Sequence, residues 1–322
     1  MKAAVYYETG APDVFRYEDV PAPQPGPGEI LLTVEAVSIE GGDTLNRLGG
    51  EMTGTPHIVG YQAAGTITAL GEGADQFTVG DRVVTVGLNG SHAEQRVVPQ
   101  GFAWPIPEGL DTVSAACIPV AYGTAHDCLF EFGRLQAGET VLVHAGAGGV
   151  GIAAIQMAKQ AGARVLATAS SSERLARLEP FGLDEGVDYT THDFVAECHR
   201  ITHGRGVDLI VESVGGSNLQ RSLAALAYRG RCISLGDASR GARADLDVSG
   251  LRPNNQLLSG YFLGGELFFG TRAYGMVNDQ IAAVTSGALK VVVDRTFPLA
   301  AAADAHRYIE SRQAFGRVVL IP

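Results

Sequence analysis

Over residues 1 to about 120 the hydrophobic positions come in short β-branched runs, EILLTVEAVSI, AAGTITALG, DRVVTVG and AEQRVVP, separated by Gly and Pro. Runs of this length and spacing predict several short strands in a compact all-β unit, a barrel or a sandwich. PAPQPGPGE (21–29) predicts a rigid surface connection, because proline fixes φ and removes a backbone donor. From about residue 124 the pattern changes. TVLVHA is continuously apolar, as in a strand covered on both faces. Val150, Ala153, Ala154, Met157, Ala158 and Ala161 then recur at helical spacing, and Gly162 stands where a helix commonly stops. ARVLAT predicts a second buried strand and SSERLARLEPFG a short helix opening at a serine. VDLIVESVGG, GRCISLG and QLLSGYFLG predict further strands, with NLQRSLAALAYRG a helix between two of them. Strand and helix alternate in this way through residue 263, which predicts a doubly wound parallel sheet. MVNDQIAAVTSGAL and AADAHRYIESRQAFG then predict two amphipathic helices, and RVVLIP a final strand.

Composition narrows the function classes. The 322 residues suffice for two domains with separate cores. No stretch reaches the roughly 18 uninterrupted apolar residues of a transmembrane helix. MKAAVYYETG lacks the apolar core and cleavage site of a signal peptide, so a cytoplasmic setting is expected. A net charge of −11 argues against general binding to nucleic acid or anionic membranes, which needs clustered Lys and Arg. Cys117, Cys128, Cys198 and Cys232 are scattered, with no C-x-x-C pair, and predict buried free thiols rather than disulfides or a cysteine zinc site.

The strongest chemical signal is HAGAGGVG, with Gly146, Gly148 and Gly151 at G-x-G-x-x-G spacing between a strand and a helix. In that context the first glycine permits the tight turn, the second lets the backbone approach a pyrophosphate, and the third lets helix pack on strand. The N–H groups at the helix start then face an anion. About 20 residues on, a site that reads ribose hydroxyls places Asp or Glu. Here the chain reads Thr168, Ala169, Ser170, Ser171 and Ser172, followed by Arg174. A carboxylate would repel a 2′-phosphate, whereas hydroxyls donate to it and an arginine adds a charge-assisted bond. Glu173, read as the only nearby acid, is expected to begin the next helix. The loop therefore points to NADPH over NADH.

LVHAGAGGVGIAAIQMAKQAGARVLATA resembles the medium-chain dehydrogenase/reductase superfamily, in its zinc-free quinone oxidoreductase (zeta-crystallin-like) branch. GAPDVFRYEDVPAPQPGPGEILLTVEAVSI, GDRVVT, AYGTAHDCL and FGRVVLIP extend the resemblance over nearly the whole chain, in the right order. It implies an α/β architecture: a Rossmann doubly wound parallel sheet (123–263) inserted in a GroES-like β-barrel catalytic domain (1–122 and 264–322), with the cofactor between them. By motif correspondence Thr124 would touch the nicotinamide end, and Gly148, Gly149, Val150 and Gly151 the pyrophosphate. Ser170 and Arg174 would face the 2′-phosphate together with Tyr189, beside Ser171. Val214, Gly236, Phe262 and Leu263 would flank ribose and carboxamide, and Arg317 would reach the cofactor cleft. The resemblance also implies a homodimer joined at Rossmann sheet edges, for which LLSGYFLGGELFF is the expected edge.

Zinc-dependent relatives place a Cys after the second long strand and Gly-His-Glu before AAG. This chain has SIEGGDT and GYQAAG there, with no Cys, Tyr61 for the His and Gln62 for the Glu, so no metal is expected; in the branch pattern that follows, Glu40 replaces the Asn. Against the branch pattern INFxDxYxRxG the chain reads IEGGDTLNRLGG. Asp43 and Arg47 fit the pattern, Leu45 stands for Tyr, and Gly41 and Gly42 are expected to open space. The substrate pocket is therefore rebuilt.

Without a metal, and with no Ser-Tyr-Lys arrangement, the expected work of the protein is to position reactants while the nicotinamide supplies hydride. A quinone or an alkene conjugated to a carbonyl suits such a site, because it carries its own electron sink. Tyr61 and Glu40 are candidate proton donors by position, although Tyr61 could only pack and Glu40 could pair with Arg47. His92 falls where the family often has an aromatic and reads as structural; His144 reads as a packed core histidine. Two other classes stay open: an enone or enoyl-thioester reductase on the same scaffold, and a non-catalytic crystallin or RNA-binding relative. Acidic charge disfavours the RNA reading, and the full glycine loop disfavours a purely structural one.

Overall fold

The structure, a computed structural model, describes residues 1–241 and 243–322. Its strands in chain order are β1 (Lys2–Val5), β2 (Arg16–Asp19), β3 (Glu29–Ser38), β4 (Gln62–Leu70), β5 (Arg82–Val86), β6 (Gln95–Pro99), β7 (Ala103–Pro105), β8 (Thr140–Val143), β9 (Arg164–Ala169), β10 (Glu185–Asp188), β11 (Val207–Glu212), β12 (Leu226–Ser234), β13 (Leu257–Gly260), β14 (Val293–Pro298) and β15 (Arg317–Ile321). The helices that bear on function are α1 (Gly41–Gly49), α2 (Thr112–Ala116), α3 (Pro119–His126), α4 (Gly149–Gln160), α5 (Ser172–Ala176), α6 (Phe194–Ile201), α7 (Gly216–Ala225), α8 (Leu263–Phe269), α9 (Arg272–Thr285) and α10 (Ala302–Glu310). The chain divides into two compact units, Met1–Gly123 with Leu263–Pro322, and Thr124–Phe262.

In the second unit six parallel strands lie in the order β10-β9-β8-β11-β12-β13. Relative to the unit's first strand this is the 3-2-1-4-5-6 order of a Rossmann sheet, whose direction of winding reverses between β8 and β11. The apolar strands bury Leu142, Leu166 and Ile210 against Phe194 and Ile201 of α6 and Leu219 of α7. In the first unit β14-β15-β3-β4-β5-β7 form one sheet, with β6 also paired to β3. Only the β14–β15 pair in it is parallel. Its core joins residues from both ends of the chain, Ile30, Leu32 and Ile67 with Leu299, Ala305 and Leu320. No described helix is long and apolar enough to cross a membrane.

Two elements depart from the sequence pattern. The helix expected over NLQRSLAALAYRG stops at Ala225, and Leu226–Gly230 already belong to β12. Leu226 pairs with Val207 of β11, and Arg229 takes a left-handed φ of 61°, which no helix continues through. The edge expected over LLSGYFLGGELFF is a strand only to Gly260, since Leu263–Phe269 coil into α8.

Two buried imidazoles tie the units internally. His144, following β8, meets Thr168 Oγ1 (3.1 Å) and Ser222 Oγ (3.0 Å), and stands edge-on to Phe194. His92 Nε2 lies 3.0 Å from His306 Nε2, so one ring must donate and the other accept. Burial pushes both His92 and His144 down to about 3, with Arg96 and Arg221 respectively adding to the shift. The unfolded chain would bind protons near 6.5 at sites the folded chain keeps neutral, so this stability is present above pH 6.5 and is lost as pH falls toward about 3. Each group should cost about 2 kcal/mol by pH 5. Urea unfolding at pH 7.5 and 5.0 measures this: His144→Phe should shrink the acid loss relative to wild type. An undiminished loss would contradict the assignment.

Candidate active site

The turn after β8 is built by its own packing constraints. Ala145 has φ 50°, its N–H donates to Thr168 Oγ1 (3.3 Å), and Gly146 N–H donates to Thr168 O (2.9 Å). A Cβ on Gly146 would stand 2.8 Å from Ala167 Cβ, and one on Gly151 would stand 2.5 and 2.6 Å from the carbonyls of Ala145 and Gly146. Both are therefore required by the fold. Gly148 is different. Its φ of −85° suits any residue, and a Cβ there would meet only Ala145 O, at 3.4 Å. No contact inside the protein accounts for its lack of a side chain. Gly148 is also the N-cap of α4 without a side-chain cap, and the first intrahelical bond is Ile152 N–H to Gly148 O. The N–H groups of Gly149, Val150 and Gly151 precede it at the positive end of the helix dipole, which fits a dinucleotide pyrophosphate.

The neighbouring strand ends complete this face of the sheet. Glu212, ending β11, accepts from Val214 N–H (2.9 Å), Gly215 N–H (2.9 Å) and Asn218 Nδ2 (2.9 Å), and so shapes the turn carrying Val214. Burial pushes its carboxyl up from the ordinary value. Ala238 and Ser239 donate back to Ser213 O (3.0 Å) and Val214 O (2.7 Å), which places the Gly236 loop beside that turn. The capping role of Glu212 escaped the sequence reading; an acid two residues before a V-G-G turn was its signal. Thr124 and Phe262 begin and end this unit, the first buried and the second 57% exposed; Leu263 is buried in the other unit.

At the end of β9, Thr168 is spent on His144 and Ala145, and Ser171 caps α5 by accepting from Arg174 N–H (3.2 Å). Ser170 and Arg174 are half-buried there, and Tyr189 joins them because its N–H donates to Ala169 O (3.1 Å). Glu173 is not the only acid near this end. The β9–β10 register sets Asp188 opposite Ala169, a parallel-strand neighbour that sequence distance hides. The Asp188 carboxylate is turned to Thr190, accepting from its N–H (2.9 Å) and hydroxyl (2.6 Å).

The other unit holds the remaining candidates in one buried polar network. Arg317 donates from Nε to Ser38 Oγ (2.9 Å) and from Nη2 to Ile39 O (2.8 Å), and pairs with the Glu40 carboxylate. Gln62 Nε2 also donates to Glu40, while Gln62 Oε1 accepts from Val120 N–H (3.1 Å). Glu40 thus pairs with Arg317 and not with Arg47, whose guanidinium meets Glu310 of α10. Burial pushes the Glu40 carboxyl up against the pull of Arg317; burial acts to lower Arg317, and Glu40, Cys117 and Asp43 together more than offset it. Asp43 accepts from Glu40 N–H (2.8 Å) and Tyr61 N–H (3.1 Å), and burial with the nearby Glu40 charge pushes it up to about 8 despite those bonds. Leu45 is half-buried on α1.

Tyr61 corrects a second expectation. Gly42 does not open space: a Cβ there would lie 2.7 Å from the Tyr61 hydroxyl and 2.8 Å from its Cζ, so the ring fills the room the missing side chain leaves. Gly41 does open space, with nothing within 4 Å of its Cβ position. Asn46 Nδ2 donates to the Tyr61 hydroxyl (3.1 Å), a partner the sequence reading missed although Gly42 and Asn46 share a helix face at i,i+4 spacing. His92 is fully buried, with Nδ1 3.3 Å from Ser91 Oγ and its ring parallel to Phe15. It props Gly60, whose φ of +119° and contacts with Ser91 and His92 admit no side chain.

A Rossmann sheet with a glycine-turn anion site, joined in one chain to a GroES-like unit, defines a dinucleotide-dependent dehydrogenase or reductase. Family models agree: "Alcohol dehydrogenase GroES-like domain" matches residues 26–108 and "Zinc-binding dehydrogenase" matches 181–320. A 2-haloacrylate reductase from Burkholderia is 34% identical over 100% of this chain and 99% of its own length. The Escherichia coli quinone oxidoreductase solved with NADPH is 27% identical, with TM-score 0.95 and 100% of both chains covered. A mycobacterial protein solved with NADPH is 34% identical, with TM-score 0.94 over 100% of both chains. The chain belongs to the medium-chain dehydrogenase/reductase superfamily, in its zinc-free quinone oxidoreductase branch.

The zinc of the wider family does not fit these residues. At its His and Glu positions stand a phenol and an amide committed at both ends, and the stretch that would hold its Cys offers only a carboxylate engaged by Arg317 and Gln62. Among the described residues no group of three or more His, Cys, Asp and Glu could hold a metal ion.

The glycine analysis makes a direct prediction. Gly151→Ala should lower stability by about 1–3 kcal/mol through forced overpacking, while Gly148→Ala should stay within about 0.5 kcal/mol of wild type. Urea unfolding of both variants tests it, and equal losses would contradict the distinction.

Proposed function

We propose that the protein is an NADPH-dependent, zinc-independent reductase of a conjugated carbonyl acceptor, with a quinone as the leading substrate class. The observation that carries this reading is the β9 end: a glycine-turn pyrophosphate site followed by Ser170, Arg174 and Tyr189 instead of a ribose-reading carboxylate. The two NADPH-bound relatives support it. A second reading, reduction of an alkene conjugated to a carbonyl, is favoured by the similarity to 2-haloacrylate reductase.

When bound, NADPH supplies a hydride and leaves as NADP⁺; acceptor plus hydride plus one proton gives the reduced product. The first-turn N–H groups of α4 would hold the pyrophosphate, with room left by Gly148. Ser170 and Arg174 would hold the 2′-phosphate, with Tyr189 alongside. Thr124, Val214, Gly236 and Phe262 would line the ribose and nicotinamide. Arg317 has a different part: bound to Ser38, Ile39 and Glu40, it fixes the start of α1. Glu40 is held in that pair and is a poor proton source. The proton comes from water or from Tyr61, whose hydroxyl accepts from Asn46 and keeps its own hydrogen to donate. We place the protein in the cytoplasm as a homodimer paired through the β13 edge.

Arg174→Ala tests the cofactor preference. NADPH binding, followed by fluorescence titration, should weaken about tenfold or more, with NADH changed little. Equal losses for the two cofactors would overturn the preference.

A further inference from the structure

We infer that Asp188 and Thr190 set how strongly the site distinguishes NADPH from NADH: Thr190 holds the Asp188 carboxylate aside, and a carboxylate released from it reads the ribose hydroxyls. The inference rests on the NADPH reading above and names the residues that limit that preference.

The register of β9 and β10 sets Leu166 opposite Glu185, Ala167 opposite Gly186, Thr168 opposite Val187 and Ala169 opposite Asp188. Side chains alternate between the faces of a sheet, and residues paired across a ladder share a face. One face is identified by Leu166 and Val187, which belong to one core with Phe194 and Ile201 of α6. The other is identified by two glycines. A Cβ on Gly146 would stand 2.8 Å from Ala167 Cβ, and one on Gly186 would stand 2.9 Å from Leu175 Cδ1 of α5. Ala169 and Asp188 lie two residues beyond Ala167 and Gly186. They therefore share this second face with the glycine turn and with the helix that carries Arg174.

Ala169 ends β9, the strand end from which a carboxylate reads the ribose hydroxyls in a sheet of this type. Ala169 offers only a methyl, but its neighbour on the same face is a carboxylate. Thr190 fixes where that carboxylate points. Asp188 Oδ1 accepts from the Thr190 hydroxyl (2.6 Å) and from Thr190 N–H (2.9 Å). The Asp188 carbonyl accepts from His192 N–H (2.9 Å), so the turn after β10 closes on both ends of the residue. Asp188 is partly exposed, and the Thr190 hydroxyl and N–H hold its carboxyl below the ordinary carboxylate value, which keeps it charged at neutral pH. That charge acts differently on the two cofactors. A 2′-phosphate is repelled whichever way the carboxylate points, because Coulomb repulsion depends on distance. A ribose 2′-hydroxyl gains only if the carboxylate can turn to accept from it, because a hydrogen bond depends on direction. Thr190 withholds that gain and leaves the repulsion in place.

The test is fluorescence titration with NADPH and with NADH, read as the ratio of the two Kd values. Wild type should bind NADPH more tightly. Asp188→Asn keeps the shape and removes the charge, so NADPH should bind about threefold or more tighter than to wild type, the scale of a solvent-screened repulsion within one Debye length. Thr190→Val removes the hydroxyl bond and frees the carboxylate, so NADH should bind about threefold or more tighter than to wild type. Thr190→Ser keeps the hydroxyl and should leave both affinities as they are. A role confined to capping the turn would weaken both cofactors alike in these variants. An unchanged NADPH-to-NADH ratio in either Asp188→Asn or Thr190→Val overturns the inference alone. No preference for NADPH in wild type overturns the NADPH reading, and the inference with it.

Discussion

The Glu40–Arg317 pair is the constraint on which the GroES-like unit depends. It joins residues 277 apart in sequence, and with Gln62 and Ser38 it fastens β3, β4 and β15 at the point where α1 begins. Two charges this deep are tolerable only because each is met by further hydrogen bonds, and removing one partner from such a pair typically costs about 3–5 kcal/mol. The arrangement stands at the ligand positions of zinc-dependent relatives. A guanidinium fixed covalently to the fold supplies positive charge beside a carboxylate, where those relatives use a metal ion. The cation in this chain orders the scaffold and offers no open coordination position to a substrate.

The Rossmann unit divides its glycines between folding and function. Gly146 and Gly151 answer to contacts inside the protein, and Gly148 answers to none strong enough to require it. A similar division runs through the hydroxyls at the end of β9, where Thr168 and Ser171 serve the backbone. A motif match treats these residues as equal. The contacts separate those the fold itself requires from those it does not.

Much of this was readable in advance, for identifiable reasons. Uniformly apolar strands alternating with helical periodicity specify a parallel sheet, and the G-x-G-x-x-G stretch specifies the turn between β8 and α4, because both signals are local. What stayed hidden depends on pairings between distant segments. Arg317 offered no clue that it would meet Glu40, and the nearer Arg47 looked the better partner until Glu310 claimed it. Gly42 read as empty space because the ring that fills it comes from another strand. Asp188 became a neighbour of Ala169 only through strand register. The early end of α7 at Ala225 follows from pairing with β11, which overrides a helical propensity that continues into Leu226 and Ala227.

The proposed hydride transfer needs no zinc, because an internal ion pair orders the unit in which zinc-dependent relatives place their metal. The most direct measurement is NADPH oxidation with 1,4-benzoquinone before and after dialysis against a strong zinc chelator, alongside metal analysis of the purified protein. The account predicts an unchanged rate and no stoichiometric zinc. A rate that falls on chelation and is restored by added zinc would contradict it.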